Sequence, residues 1–237
     1  MADGISSNLD YLKAHVEALF LHNEQGRLVA VNDVDQGAAP RLYLGRTVEG
    51  NVWRLRHDLA PDLAEELEET LADEPVASDL ERPAVTAEWL REVLERDAPI
   101  HSVWEGPAWN FPRDVATPSD IEVERVTAGM EFSGDRFTWL ADELEVSEPV
   151  FVVLDGNRIV SLCHSSRNAA HAAEAGVETL EGYRGRGYAA AVVAHWAREV
   201  RAEGREPLYS TSWDNVASRA LARSLGLILY GADLHMP

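Results

Sequence analysis

Apolar positions in the first hundred residues recur mostly at helical spacing. Leu12, Val16, Leu19 and Phe20 follow Ser7 or Asn8 as a candidate cap, which predicts an opening helix. Short alternating runs at Leu28–Val31, Leu42–Leu44 and Asn51–Arg56 predict strands, the last two joined at Glu49-Gly50. Pro61 opens a helix to about Leu71, in which Glu65, Glu66, Glu68 and Glu69 form a solvated face and Leu63, Leu67 and Leu71 turn inward. Thr86 caps another helix through about Arg96. The stretch Gly106–Pro118, with three prolines and a glycine, reads as a linker, which divides the chain into domains 1–115 and 116–237.

Beyond it the order of elements changes. A strand near Ile121–Val126 and a helix near Phe137–Leu144 precede a hairpin, Pro149–Leu154 and Arg158–Cys163, turned at Asp155-Gly156-Asn157. A strand over Ala172–Leu180 then runs into a glycine-rich loop and a long helix, Tyr188–Glu203, stopped by Gly204. A strand at Pro207–Ser212, a helix from Asn215 to Leu225 ended by Gly226, and a strand from Leu227 complete the pattern.

The 237 residues are ordinary in composition but carry a net charge of −20. A chain this acidic repels phosphate backbones and anionic membrane surfaces, so nucleic acid and membrane are not expected partners. The charge is uneven: residues 1–115 hold 10 basic and 23 acidic side chains, whereas 170–225 hold seven of each. That neutral island is where an anion site is to be sought. The single cysteine, Cys163, allows no intramolecular disulfide and reads as a buried hydrophobe. No basic and apolar leader and no run of 18 apolar residues is visible, so a cytoplasmic location is expected. No His, Asp or Glu spacing suggests a metal site.

Within the island lies Tyr183-Arg-Gly-Arg-Gly-Tyr-Ala-Ala190, between a strand and a helix. Glycines at a helix entrance let backbone amides approach a ligand, and the helix terminus offers unpaired N–H groups to an anion such as a pyrophosphate. A Walker A loop needs a lysine, and none follows Lys13. The dinucleotide pattern is present as Gly185-Arg-Gly187-Tyr-Ala-Ala190, but what precedes it is a hairpin and meander, and only 47 residues follow.

The pattern [QR]-x-x-G-x-[GA], filled by Arg184-Gly-Arg-Gly187-Tyr-Ala189, uses more of the chain. With Thr179, Ser212-Trp-Asp-Asn215-Val-Ala-Ser218 and Ala222-Arg-Ser-Leu-Gly226, the segment Ile121–Met236 resembles the GNAT superfamily of acyl-CoA N-acyltransferases, and in particular a bacterial subgroup whose second helix starts Asn-x-x-Ser. The resemblance implies an α/β (α+β) fold, a mixed, mostly antiparallel sheet flanked by helices, preceded by a smaller α/β N-terminal domain. It implies acetyl-CoA as co-substrate, with the pyrophosphate on the amides of Arg184, Gly185, Arg186, Gly187, Tyr188 and Ala189. The pantetheine would lie along Val177, Glu178 and Thr179, with Asn215 and Ser218 binding its arm.

The implied reaction is transfer of an acetyl group by direct attack of an amine on the thioester. Glu174 and Glu178, alternating with Val177 and Thr179, are candidate bases. Many members place an acid tyrosine where this chain has Ala222, so Tyr209, Tyr230 or Ser218 are candidate substitutes. His171 is read as a turn histidine, His164 as the end of a hairpin strand and His195 with Trp196 as core packing. The acceptor, a small molecule or a protein amine, is expected to be cationic, and a homodimer is left open. Two other classes remain: a non-catalytic acyl-CoA-binding sensor, favoured by Ala222, and a nicotinamide-nucleotide binder.

Overall fold

The computed structural model describes residues 5–116, 118 and 120–237. Thr117, in the stretch read as a linker, and Met1–Gly4 lie outside the described residues. The fold is mixed α/β, mostly antiparallel sheet flanked by helices. The chain groups into two compact units, residues 1–109 with 210–215 and 229–237, and residues 110–209 with 216–228. The sequence division at 115/116 assigned 210–215 and 229–237 to the second domain; by packing they group with the first.

In the first unit, helix α1 (Asn8–Leu19) is capped by Ser7, whose hydroxyl accepts from the Asp10 N–H at 3.1 Å. Phe20, expected in that helix, instead begins strand β1 (Phe20–His22), which pairs antiparallel with β2 (Leu28–Val31). Strands β3 (Leu42–Arg46), β4 (Asn51–Leu55), β5 (Trp104–Asn110) and β11 (Ile228–Met236) lie in the order β4-β3-β11-β5. Helices α2 (Pro61–Ala72) and α3 (Ala87–Glu95) bury Leu67, Leu71, Leu90 and Leu94 against Leu42, Leu44 and Leu234. Thr86 does not cap α3 with its side chain; its hydroxyl and N–H both donate to Glu74, at 2.7 and 2.8 Å.

The stretch read as a linker is largely a strand. Within β5 a Cβ on Gly106 would lie 1.8 Å from the Thr211 carbonyl oxygen, so the glycine records a close backbone approach. The first unit also buries a polar cluster. The Tyr43 hydroxyl donates to Asp233 at 2.9 Å, the His15 imidazole lies 3.2 Å from the same carboxylate, and Trp104 stacks on His235 at 4.5 Å.

The second unit orders its strands β10-β9-β8-β7-β6. They are β6 (Glu124–Arg125), β7 (Phe151–Asp155), β8 (Arg158–Asn168), β9 (Ala172–Thr179) and β10 (Glu206–Ser210), the last mostly in this unit. The hairpin turn has Gly156 at φ +61°, as the Asp-Gly signal requires. The expected strand at 121–126 shrinks to two residues, and the helix expected at 137–144 is α4 (Leu140–Ser147).

Helix α5 (Tyr188–Ala202) lays a face of Ala191, Val192, Ala194, Trp196 and Val200 inward, and its small residues let it approach the sheet closely. The buried Trp196 N–H donates to Ser165 at 3.1 Å, which satisfies the one polar atom such burial would strand. Arg201 near its end donates to the carbonyls of Phe111, Pro112 and Arg113, so the chain after β5 is tied down at three successive residues. Helix α6 (Val216–Ser224) ends at Gly226, φ +67°, with the Leu227 N–H returning to Ala222.

Candidate functional site

Strands β9 and β10 pair in parallel only at Ala172, Ala173 and Glu174 with Glu206, Pro207 and Leu208. On its other side β9 stays paired with β8 as far as Thr179 opposite Ser161. The sheet therefore forks after Glu174, and Ala175–Thr179 carry a backbone edge outside that parallel ladder. An open edge of this kind offers N–H and C=O groups to an extended ligand. Burial follows the fork: Ala172–Ala175 are buried, and Gly176–Thr179 are partly exposed.

The open edge leads into the glycine-rich loop. A single 3-10 turn, Glu181–Tyr183, follows β9, and the Tyr183 hydroxyl donates to Asp155 at 2.5 Å, which raises its pKa. Gly185 at φ +73° and Gly187 at φ +83° take left-handed conformations that a side chain would strain. Nothing lies within 4 Å of a Cβ on Gly185, whereas one on Gly187 would meet Ile121 at 3.3 Å. Gly187 is the N-cap of α5, whose first helical bond runs from Ala191 N–H to the Gly187 carbonyl. The amides of Tyr188, Ala189 and Ala190 precede that bond, at the positive end of the helix dipole. Arg186 lies over the Tyr183 ring at 5.0 Å, and the Arg184 Nε donates to the Thr179 carbonyl at 3.3 Å.

The expected site residues divide between the units. Val177, Glu178, Thr179, Arg184–Ala189, Glu174 and Ser218 belong to the second; Asn215, in the turn where its N–H donates to Ser212 at 3.1 Å, and Tyr230 belong to the first. Tyr230 is fully buried, stacked on Tyr11 at 5.4 Å and edge-on to His15. Glu178 is held by Arg136, whose Nε donates to it at 2.6 Å. Glu174 is buried at the closed end of the fork, opposite Leu208. Tyr209 and Ser218 come together: their hydroxyls share a hydrogen bond, and burial pushes the Tyr209 pKa up to about 12. Ala222, one turn beyond Ser218 on α6, is buried.

Two histidines differ from their sequence reading or repeat it. His171 is exposed in the turn before β9, as read. His164 does not end a strand, because β8 continues to Asn168 across a bulge; it is the register partner of Gly176. Burial, with Arg167 adding to it, pushes its pKa down to about 4. Sequence reasoning placed this residue at a strand end with no chemical role, and the isolated Gly176 inside a strand pattern is the signal that something approaches closely there. Cys163 is buried, which drives its thiol pKa up and leaves it inert.

The second unit also holds a groove of about 930 Å³. Phe132, Phe137 and Met130 supply apolar wall, Arg136 links it to Glu178, and Glu131 and Glu145 stand among its carboxylates. Among the described residues no group of three or more His, Cys, Asp or Glu is placed to hold a metal, and no helix is long and apolar enough to cross a membrane.

The open edge of β9 thus leads directly into the glycine-lined entrance of α5. The family model that matches the chain is that of the GNAT acetyltransferases, over residues 150–231, about a third of its length. Among solved structures, the chain is similar to a GCN5-related N-acetyltransferase from Kribbella flavida (16% identity, 99% of this chain and 96% of that one, TM-score 0.49). It is also similar to a GCN5-related N-acetyltransferase-like protein from Streptococcus suis (16% identity, 84% and 85%, TM-score 0.49). A GNAT-family putative acetyltransferase from Novosphingobium aromaticivorans shares 19% identity over 58% of this chain and 65% of that one, TM-score 0.44. No curated protein matches the chain.

Proposed function

We propose that this chain is an N-acetyltransferase that moves an acetyl group from acetyl-CoA to an amine by direct attack. The observation that carries the reading is the fork: β9 runs on past Leu208 of β10 and exposes its edge immediately before the glycine-lined entrance of α5. Those parts fit the co-substrate. Val177–Thr179 would hold the pantetheine as an added strand, and the amides from Arg184 to Ala189 would take the pyrophosphate, with Arg184 and Arg186 supplying local positive charge. One N–H of the open edge would polarise the thioester carbonyl as charge develops on its oxygen.

The amine attacks the thioester carbon and the thiolate departs. The Tyr209–Ser218 hydroxyl pair stands one turn from Ala222, and burial keeps Tyr209 protonated and able to donate. The groove at Arg136, with Glu131, Asp142, Glu145 and Glu148 against Arg136 and Arg158, favours a cationic acceptor. Calorimetry with acetyl-CoA and with NAD, and thiol release from acetyl-CoA across a panel of amines, test the reading. Acetyl-CoA binding with turnover on a polyamine or aminoglycoside is expected. Binding without turnover on any acceptor would move the chain to the acyl-CoA-binding sensors, and NAD binding alone to the nucleotide binders.

A further inference from the structure

Gly176 interrupts an otherwise ordinary strand, and glycine weakens a strand interior unless something needs the space. His164 needs it. A Cβ on Gly176 would lie 2.3 Å from His164 Nε2 and 2.8 Å from its Cδ2. The two residues are opposite one another in the β8–β9 ladder, so the imidazole lies across the bare backbone on the face that also carries Glu174 and Glu178. Trp139 packs on the ring at 5.0 Å between centroids. Nδ1 is buried with no hydrogen-bond partner among the described residues, so no neighbour holds the ring in the tautomer that would put the proton on Nε2.

The charged groups around this ring sort themselves. Burial, with Arg167 on β8 adding to it, holds the imidazole neutral down to about pH 4. Glu178 is engaged by Arg136, and Glu174 lies at the closed end of the fork. Gly176 lies in the open part of the edge, where the reading above puts the thioester.

We infer that His164 is the proton acceptor for the attacking amine, its imidazole laid across Gly176 at the open edge of β9; this rests on the acetyltransferase reading. The amine lone pair forms the C–N bond to the thioester carbonyl carbon, and the C–S bond breaks with its electron pair left on sulfur. The proton released from nitrogen passes to His164 Nε2, and the departing thiolate takes a proton from the Tyr209–Ser218 hydroxyl pair, which is re-protonated from water. Nitrogen becomes strongly acidic as the C–N bond forms, so a weakly basic imidazole suffices, and its low proton affinity keeps it available at any working pH.

The test uses the full chain with acetyl-CoA and an amine that the wild type acetylates. His164→Gln and His164→Ala are expected to bind acetyl-CoA within about twofold of wild type, while the single-turnover rate falls roughly 100-fold or more. Added imidazole is expected to restore part of the rate of His164→Ala, because it can occupy the space above Gly176, and not that of His164→Gln. Gly176→Ala, which drives the ring off the strand, is expected to lower the same step. Rates within about threefold of wild type in both His164 variants, or no imidazole rescue of a folded, acetyl-CoA-binding His164→Ala, overturn the assignment alone. A wild type that neither binds acetyl-CoA nor acetylates any amine overturns the acetyltransferase reading and this assignment with it.

Discussion

The hydroxyls of Tyr209 and Ser218 share a hydrogen bond that ties the end of β10 to the first turns of α6, one turn from buried Ala222. Ser218 and Ala222 lie on one face of the helix, so the pair takes the ground beside the position where the resemblance expects a tyrosine. Removing one partner costs the other this part-buried hydrogen bond. Tyr209→Phe and Ser218→Ala are each expected to lower stability by about 1 kcal/mol, with a coupling of at least ~0.5 kcal/mol in the double-mutant cycle measured by urea unfolding.

A substitution at Gly187 separates binding from folding. Valine at φ +83° is strained by about 1–2 kcal/mol and brings its Cβ against Ile121, at the mouth of the helix. Gly187→Val is expected to leave a cooperative thermal transition and to reduce acetyl-CoA affinity at least ~10-fold by calorimetry. Unchanged affinity would remove the loop from the binding site.

Gly106 responds differently, because its obstacle is backbone. The Thr211 carbonyl oxygen would lie 1.8 Å from an added Cβ, so strand and neighbouring segment must part. Gly106→Ala is expected to cost about 3 kcal/mol or more in denaturant unfolding, well above an ordinary surface change.

Acid sensitivity should come from half-buried histidines. Burial, then His15, pushes the His235 pKa down to about 3, against about 6.5 when unfolded. Between those values the unfolded chain binds the proton and the folded one does not. The stability that neutral His235 contributes is therefore complete above about pH 6.5 and is lost as pH falls toward 3, by up to about 1.4 kcal/mol per unit. His164 acts in the same direction down to about 4. His235→Phe is expected to flatten the acid limb of a stability profile from urea melts between pH 3 and 7.

Cys163 offers a check on the core of the second unit. It is fully buried, and its thiol is held protonated by that burial. Ellman's reagent is expected to react with it only on unfolding, with folded-state labelling at least ~100-fold slower than in denaturant.

The sequence by itself determined the parts whose causes are local. Gly156, Gly187, Gly204 and Gly226 take positive φ where turns and helix ends were read, and the charge-neutral stretch containing Arg184 and Arg186 holds the glycine-lined entrance of α5. A residue's own conformational range decides such features, so they can be read from the residue. Tertiary structure decided what depends on a distant partner. Pro107 and Gly106 read as a linker until Thr211 donates its N–H to the Pro107 carbonyl at 3.4 Å. The polar run after Cys163 reads as a strand end until β9 pairs with it as far as Asn168 across a bulge, and that pairing alone puts His164 on Gly176. The fork after Glu174 likewise follows from where a parallel ladder stops, and strand register is a property of two segments and the core they share, which neither segment states alone.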